Sequence, residues 1–237
     1  MKLLAYDTSS EVLSAAIFNG SKKIAEFESP AFTRHSSILV PSLERLLTEC
    51  RISLGQIDTL AVGLGPGSFT GLRVGITAAK IFAYVHRIKI IGISSLEAMA
   101  LGTRGFKGEI AVILDAKKDK LYAGIFEIKN RELKVIQSPR LCKIDTLLKK
   151  VRRPRLFLGD GIKIHRRVIL KTDRCQIDIG AEFVTPKASD IARRAIHLAG
   201  EGRWIDPFRL EPLYLHPRDC NVHVCPTTQG SVNGAAR

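Results

Sequence analysis

The sequence predicts an α/β fold built from two similar mixed sheets, and three observations predict it. Short apolar runs at residues 2–6, 12–18 and 22–28 are separated by Thr8-Ser9-Ser10-Glu11 and Asn19-Gly20-Ser21, the pattern of consecutive hairpin strands. Helical stripes and further short apolar runs then alternate, giving the order βββαβαβα, which implies a sheet of mixed sense with helices on its faces. Near Glu109 the three-strand succession restarts, and in both halves the opening strand ends in aspartate, Asp7 and Asp115.

From Ser36 the apolar period lengthens to Ile38, Leu39, Leu43, Leu46 and Leu47, a helical stripe ending near Cys50; Pro41 is close enough to its start to be tolerated. Ile57 to Val62 is a continuously apolar strand that feeds a glycine-rich turn and a helix over 72–86. Residues 88–93 form another strand, and Ser94-Ser95-Leu96-Glu97 is a helix start. In the second half, strands are expected at 110–114, 121–128, 133–137 and 156–158, with helices near 145–151 and 189–199. After Pro217 the composition turns to Cys, Pro, Gly, Thr and Asn without periodicity, so residues 218–237 are expected to form a disordered tail.

The 45% hydrophobic content is enough for a substantial core, and 25% charged residues is ordinary for a folded soluble domain. Asp7 and Thr8-Ser9-Ser10 cut the first apolar stretch too short for a signal peptide, and no run reaches the roughly 18 apolar residues a membrane helix needs. A cytoplasmic location without membrane contact is expected. Cys50, Cys142, Cys175, Cys220 and Cys225 are odd in number and lack C-x-x-C spacing, against a disulfide framework or a closed zinc site. A net charge of +14 favours polyanions, and part of it is concentrated at Lys149, Lys150, Arg152, Arg153 and Arg155, a candidate tRNA contact as well as an ordinary solvated face. Lys163, Arg166 and Arg167 continue the run.

The most informative segment is Gly63-Leu64-Gly65-Pro66-Gly67-Ser68-Phe69-Thr70-Gly71-Leu72-Arg73-Val74-Gly75, between a strand and a helix. Glycine permits close backbone approach, and Ser68 or Thr70 suits the helix cap. Such a turn reads first as tight structure and second as a nucleotide or anion cradle, for which Asp7, Gly65, Gly67, Ser68 and Thr70 are the candidates. It lacks the Gly-Lys-Ser/Thr of a P-loop and does not fit the dinucleotide fingerprint.

As a string, this segment resembles the signature of the TsaB (YeaZ) family. The opening Leu-Ala-Tyr-Asp-Thr-Ser, His35-Ser36, Ile91-Gly92-Ile93-Ser94-Ser95-Leu96, Leu114-Asp115-Ala116-Lys117 and Glu211-Pro212-Leu213-Tyr214-Leu215 are similar as well. The resemblance implies an actin-like, sugar-kinase/Hsp70 (RNase H-like) fold with lobes at 1–104 and 105–217. It implies a scaffold of the assembly that transfers threonylcarbamoyl to N6 of adenosine 37 in tRNAs reading ANN codons. The partners implied are a TsaD-type catalytic paralogue, a TsaE-type ATPase and, in their absence, a second copy of the chain, with tRNA reached through the complex.

The resemblance further implies that the helices at 36–50 and 71–86 form the pairing surface. The residues expected on it are His35, Leu39, Leu43, Leu46, Leu47, Arg73, Ile76, Ala79, Lys80 and Tyr84. Charged substitution at Leu43 or Ala79 is expected to abolish pairing without unfolding. The catalytic paralogue carries two histidines four apart on a helix, whereas here His35 is followed at that spacing by Leu39, so no metal site is expected. Thr8-Ser9 also stands where a kinase of this superfold needs glycine. No catalytic residue and no tightly bound cofactor are expected, and any adenine nucleotide is expected to be shared with a partner. The competing readings are a metallopeptidase or glycopeptidase-like protein, a small-metabolite kinase and a stand-alone RNA-binding module.

Overall fold

A computed structural model describes residues 1–31, 34–103, 106–130, 132–149, 155–171, 175–177 and 184–215. The first sheet holds β1 (Lys2–Asp7), β2 (Val12–Asn19), β3 (Lys22–Pro30), β4 (Thr59–Gly63) and β5 (Lys89–Ile93), in the order β3-β2-β1-β4-β5. The second holds β6 (Glu109–Asp115), β7 (Leu121–Lys129), β8 (Glu132–Cys142), β9 (Arg155–Leu158) and β10 (Cys175–Ile177), in the order β10-β9-β6-β7-β8. Counting strands within each half, the two orders are the same, so the predicted duplication is real. In each, an antiparallel meander is extended by strands running parallel to its first member.

Alternation along the strands explains how the first sheet is covered. Leu4 and Tyr6 of β1, Leu13, Ala15 and Ile17 of β2, and Leu60 and Val62 of β4 meet α1 (His35–Glu49) and α2 (Phe69–His86). The opposite face, Leu3, Ala5, Ala16, Phe18, Ala61 and Ile91, packs against α6 (Ala188–Gly200) through Ala188, Ile191, Ala192 and Ala195. With both faces buried, β1, β2 and β4 read as nearly continuous apolar runs. The small residues of α6 let its backbone come close to the sheet.

Although α6 comes from the C-terminal part of the chain, the first sheet also caps it. Ser14 Oγ accepts from Ala188 N at 2.8 Å and Glu26 Oε1 from Ser189 N at 3.0 Å, satisfying donors that the start of a helix leaves open. Beyond α6, Ile205 N donates to Ile90 O and Leu213 N to Leu64 O, so residues 205–215 also return to the first lobe. The short α3 (Ser95–Leu101) lies between the sheets, contacting β6, β7 and β8 as well as α6.

Two more of the described helices flank the second sheet. α4 is Ile144–Leu148, and α5 (Gly161–Leu170) is a helix the sequence reading left unassigned. Ile162, His165 and Ile169 form the buried face of α5, and the polar His165 at its centre disguises the apolar stripe. The expected tail lies outside the described residues, as do the side chains of Cys175, Cys220 and Cys225; Cys50 is a half-buried free thiol.

Candidate functional site

The glycine-rich segment folds directly onto the turn between β1 and β2. Asp7, at the end of β1, is fully buried. Its Oδ1 accepts from Ser9 N at 2.7 Å and Ser9 Oγ at 2.6 Å, and its Oδ2 accepts from Ser95 Oγ at 2.7 Å. Ser95 Oγ in turn accepts from Gly65 N at 3.1 Å, while Gly65 O accepts from Ser95 N and Ser94 Oγ. One carboxylate therefore ties β1, the glycine loop and the start of α3 together.

Three glycines make this closure possible through space. A Cβ on Gly63 would lie 1.8 Å from Asp7 Oδ2, one on Gly67 2.1 Å from Ser9 O, and one on Gly71 2.1 Å from Thr8 O. Hydrogen bonds fasten the same approach: Ser68 N to Ser9 O at 2.6 Å, Thr8 Oγ1 to Gly71 O at 2.8 Å, and Tyr6 Oη to Gly75 O at 2.8 Å. Ser68 is the N-cap of α2, its Oγ accepting from Gly71 N, and both Ser68 and Thr70 are exposed. Asp7, Gly65 and Gly67 belong to the closure, and Ser68 and Thr70 to the helix start.

Burial pushes the Asp7 carboxyl above the ordinary carboxylate range, while its hydrogen bonds from Ser9 and Ser95 and the charge of the nearby, buried His35 pull it back in part. Since the folded value exceeds the unfolded one, this contribution to stability is complete below about pH 3.9 and is lost as pH rises through the folded value. Asp7→Asn, which cannot ionise, is therefore expected to gain stability relative to the wild type as pH rises over that window. Urea unfolding at a series of pH values checks this, and a difference that stays constant with pH would contradict it.

The second lobe repeats the arrangement in open form. Asp115, ending β6, accepts from Lys117 N at 2.8 Å and Lys117 Nζ at 2.7 Å, and Asp160 Oδ1 accepts from Asp115 N at 2.9 Å. The hydrogen bond from Lys117 holds the Asp115 carboxyl below its usual range. Gly159 supplies the close approach, since a Cβ there would meet Ile113 O at 2.2 Å and its φ is +101°.

The expected pairing residues need correction. Leu39, Leu43, Leu46, Leu47, Ile76 and Ala79 are core residues, Leu43 only 2% exposed, because the apolar faces of α1 and α2 are used against the first sheet. His35 is buried with them. Arg73, Lys80 and Tyr84 do lie at the surface of α2, along residues 205–215. Arg73 Nε donates to Tyr214 Oη at 3.1 Å and its guanidinium sits 3.8 Å over the Phe69 ring, Lys80 Nζ donates to Phe208 O, and Tyr84 packs edge-on to Phe208. Val40 of α1 and Ile81 and Val85 of α2 are apolar and exposed. A groove of about 500 Å³ between the two helices is lined by Val40, Arg73, Val74, Thr77, Ile81 and Phe82.

Arg155 must be removed from the candidate tRNA contacts. It is 2% exposed and its Nε and Nη2 both donate to Glu109 Oε2, the residue directly beside it in the β6–β9 register. Lys149 is exposed, whereas Lys150, Arg152 and Arg153 lie outside the described residues. Among the described residues, no three His, Cys, Asp or Glu side chains gather where they could hold a metal ion.

Residues 29–199 match the family model described as TsaD: tRNA N6-adenosine threonylcarbamoyltransferase. The chain is 36% identical over 219 residues to the tRNA threonylcarbamoyladenosine biosynthesis protein TsaB of Bacillus subtilis (strain 168), covering 91% of this chain and 94% of the relative. It is 28% identical to the protein of the same name from Escherichia coli (strain K12), again covering 91% and 94%. Among solved structures, YeaZ from Pseudomonas aeruginosa superposes with a TM-score of 0.79 at 24% identity, covering 90% of this chain and 99% of that one.

Proposed function

We propose, from the premise that this chain belongs to the TsaB (YeaZ) family of tRNA threonylcarbamoyladenosine biosynthesis proteins, that it acts there as a non-catalytic scaffold for a TsaD-type catalytic paralogue. The observation that carries this reading is the closure of the glycine-rich loop onto Asp7. In a two-lobed kinase the turn after the first strand has to admit phosphate and a metal ion. Here Ser9, Ser95 and Gly63 surround the carboxylate, and the loop's N–H and C=O groups bond to the protein's own turn. Leu39, where a second ligand four residues after His35 would have to stand, is in the core. Neither the peptidase nor the kinase alternative is favoured by this geometry.

A scaffold needs a surface, and the exposed α1–α2 face supports one. Val40, Ile81 and Val85 are between 49% and 63% exposed, beside the half-buried Val74, Ala78 and Phe82. On this reading the TsaD-type paralogue docks across the groove, a second copy of this chain takes its place when the paralogue is absent, and a TsaE-type ATPase joins the pair. Any adenine nucleotide is held jointly with a partner, tRNA is reached through the complex, and the assembly works in the cytoplasm. None of the described helices is long and apolar enough to cross a membrane.

Reconstituted tRNA modification with threonine, bicarbonate, ATP and the partner proteins tests the role. Modification is expected to require this chain, and the chain alone is expected to be inert. Equal modification without it, or turnover of ATP or peptide by the chain alone, would overturn the scaffold reading.

A further inference from the structure

A cavity of about 900 Å³ opens where α6 faces the end of α3 and the β7–β8 hairpin, away from the α1–α2 face. Its volume is in the range of small-molecule sites, roughly 300 to 1,000 Å³. The floor is apolar: Leu101, Phe106, Ile128 and Leu133 from the side of the second sheet, and Ile196 from α6 on the first. The polar part of the wall is mainly cationic. Lys107, Arg193 and Arg194 line it together with Glu132, Ser21 and His197, and each arginine is also paired with a carboxylate outside the lining, Asp190 or Glu97.

The two arginines are held in place by the protein itself. Arg193 Nη1 donates to Asp190 Oδ1 at 2.8 Å, and its guanidinium lies 5.9 Å over the Phe18 ring. Arg194 donates through Nε to Glu97 Oε2 at 2.9 Å, with 13% of its side chain exposed. Each is thus fixed by one nitrogen while the planar fork retains further donors, and little rotamer entropy remains to be lost on binding an anion. Lys107 is exposed and has no ion-pair partner among the described residues.

An apolar floor with preset cations at one side suits a ligand of matching polarity. We propose that this cavity binds a small amphipathic anion, its apolar body on Phe106, Ile128, Leu133 and Ile196 and its single anionic head between Lys107 and the two arginines. Since α6 packs on the first sheet and the other wall belongs to the second, the ligand bridges the two halves.

The probe is 1-anilinonaphthalene-8-sulfonate, titrated into the full-length chain by fluorescence and displaced with decanoate or decanol. Saturable binding is expected, reversed by decanoate far better than by decanol. Ile196→Trp, which fills the floor, and Lys107→Glu, which reverses the charge, are each expected to weaken it by about tenfold or more with unchanged thermal unfolding. Ile81→Glu on the α1–α2 face is expected to leave it unchanged. Binding indifferent to both cavity variants, or abolished by Ile81→Glu, would overturn the site, and equal displacement by decanol would overturn the anionic head. The titration involves neither partner nor tRNA, so its failure leaves the scaffold role untouched.

Discussion

Leu43→Glu is expected to unfold the protein, whereas Ile81→Glu is expected to leave it folded and to break its association with a partner. Leu43 sits in the core formed with Leu4, Leu47 and Phe82, and Ile81 points out of the same pair of helices with 55% of its surface exposed. Truncating a buried leucine already costs about 2–5 kcal/mol, and desolvating a carboxylate adds several kcal/mol more. Against a stability of about 5–15 kcal/mol for a typical domain, that sum removes most or all of it. A charge at an exposed position normally changes stability by no more than about 0.5 kcal/mol. In an apolar interface the same charge is desolvated on docking, and a loss of affinity of about a hundredfold or more is expected. Circular dichroism separates the first outcome, and size-exclusion chromatography with the catalytic paralogue the second. A folded Leu43→Glu that merely fails to pair would restore the leucine stripe to the interface, and an Ile81→Glu that pairs normally would move the interface off this face.

The leucine stripe also shows where sequence reasoning stops. A period of 3.6 identifies α1 and its apolar face, but it is silent on whether a sheet or another molecule covers that face. The structure gives Leu39, Leu43, Leu46 and Leu47 to the sheet and leaves Val40, Ile81 and Val85 outside. Val40 lies off the leucine stripe, whereas Ile81 and Val85 belong to the apolar face of α2, and the period does not tell which part of that face the sheet covers. Arg155 was grouped with its basic neighbours because charge runs are read linearly. Its position at the head of an apolar strand, with Glu109 at the head of another, was the available signal, and only the parallel register brings the two together. The duplication was legible because a restarted strand succession and a repeated terminal aspartate are local features. The contact between Ser95 and Asp7, 88 residues apart in sequence, has no local signature. The recognised glycine string therefore marked the right place without showing what its glycines approach.

Gly71→Ala should reveal whether that approach is as tight as the geometry implies. Gly71 is in the first turn of α2, and a methyl group there would meet the backbone carbonyl of Thr8 at 2.1 Å. A flexible side chain could move aside, but Thr8 O belongs to the turn that holds Asp7. Separating the two backbones also strains the bond from Thr8 Oγ1 to Gly71 O and that from Ser68 N to Ser9 O. Overpacking costs about 1–3 kcal/mol and each lost hydrogen bond about 1 kcal/mol, so a destabilisation of about 3–5 kcal/mol is expected. Gly200→Ala, at the end of α6 where a Cβ meets nothing within 4 Å, is the control and is expected to be neutral or slightly stabilising. Chemical denaturation of the two variants measures the difference. If Gly71→Ala matches the control, the loop is free to leave the Asp7 turn, and the carboxylate that looks enclosed could be uncovered for a nucleotide or a metal ion. If it shows the full loss, the glycines serve to close the first lobe over Asp7, as the proposed scaffold role requires.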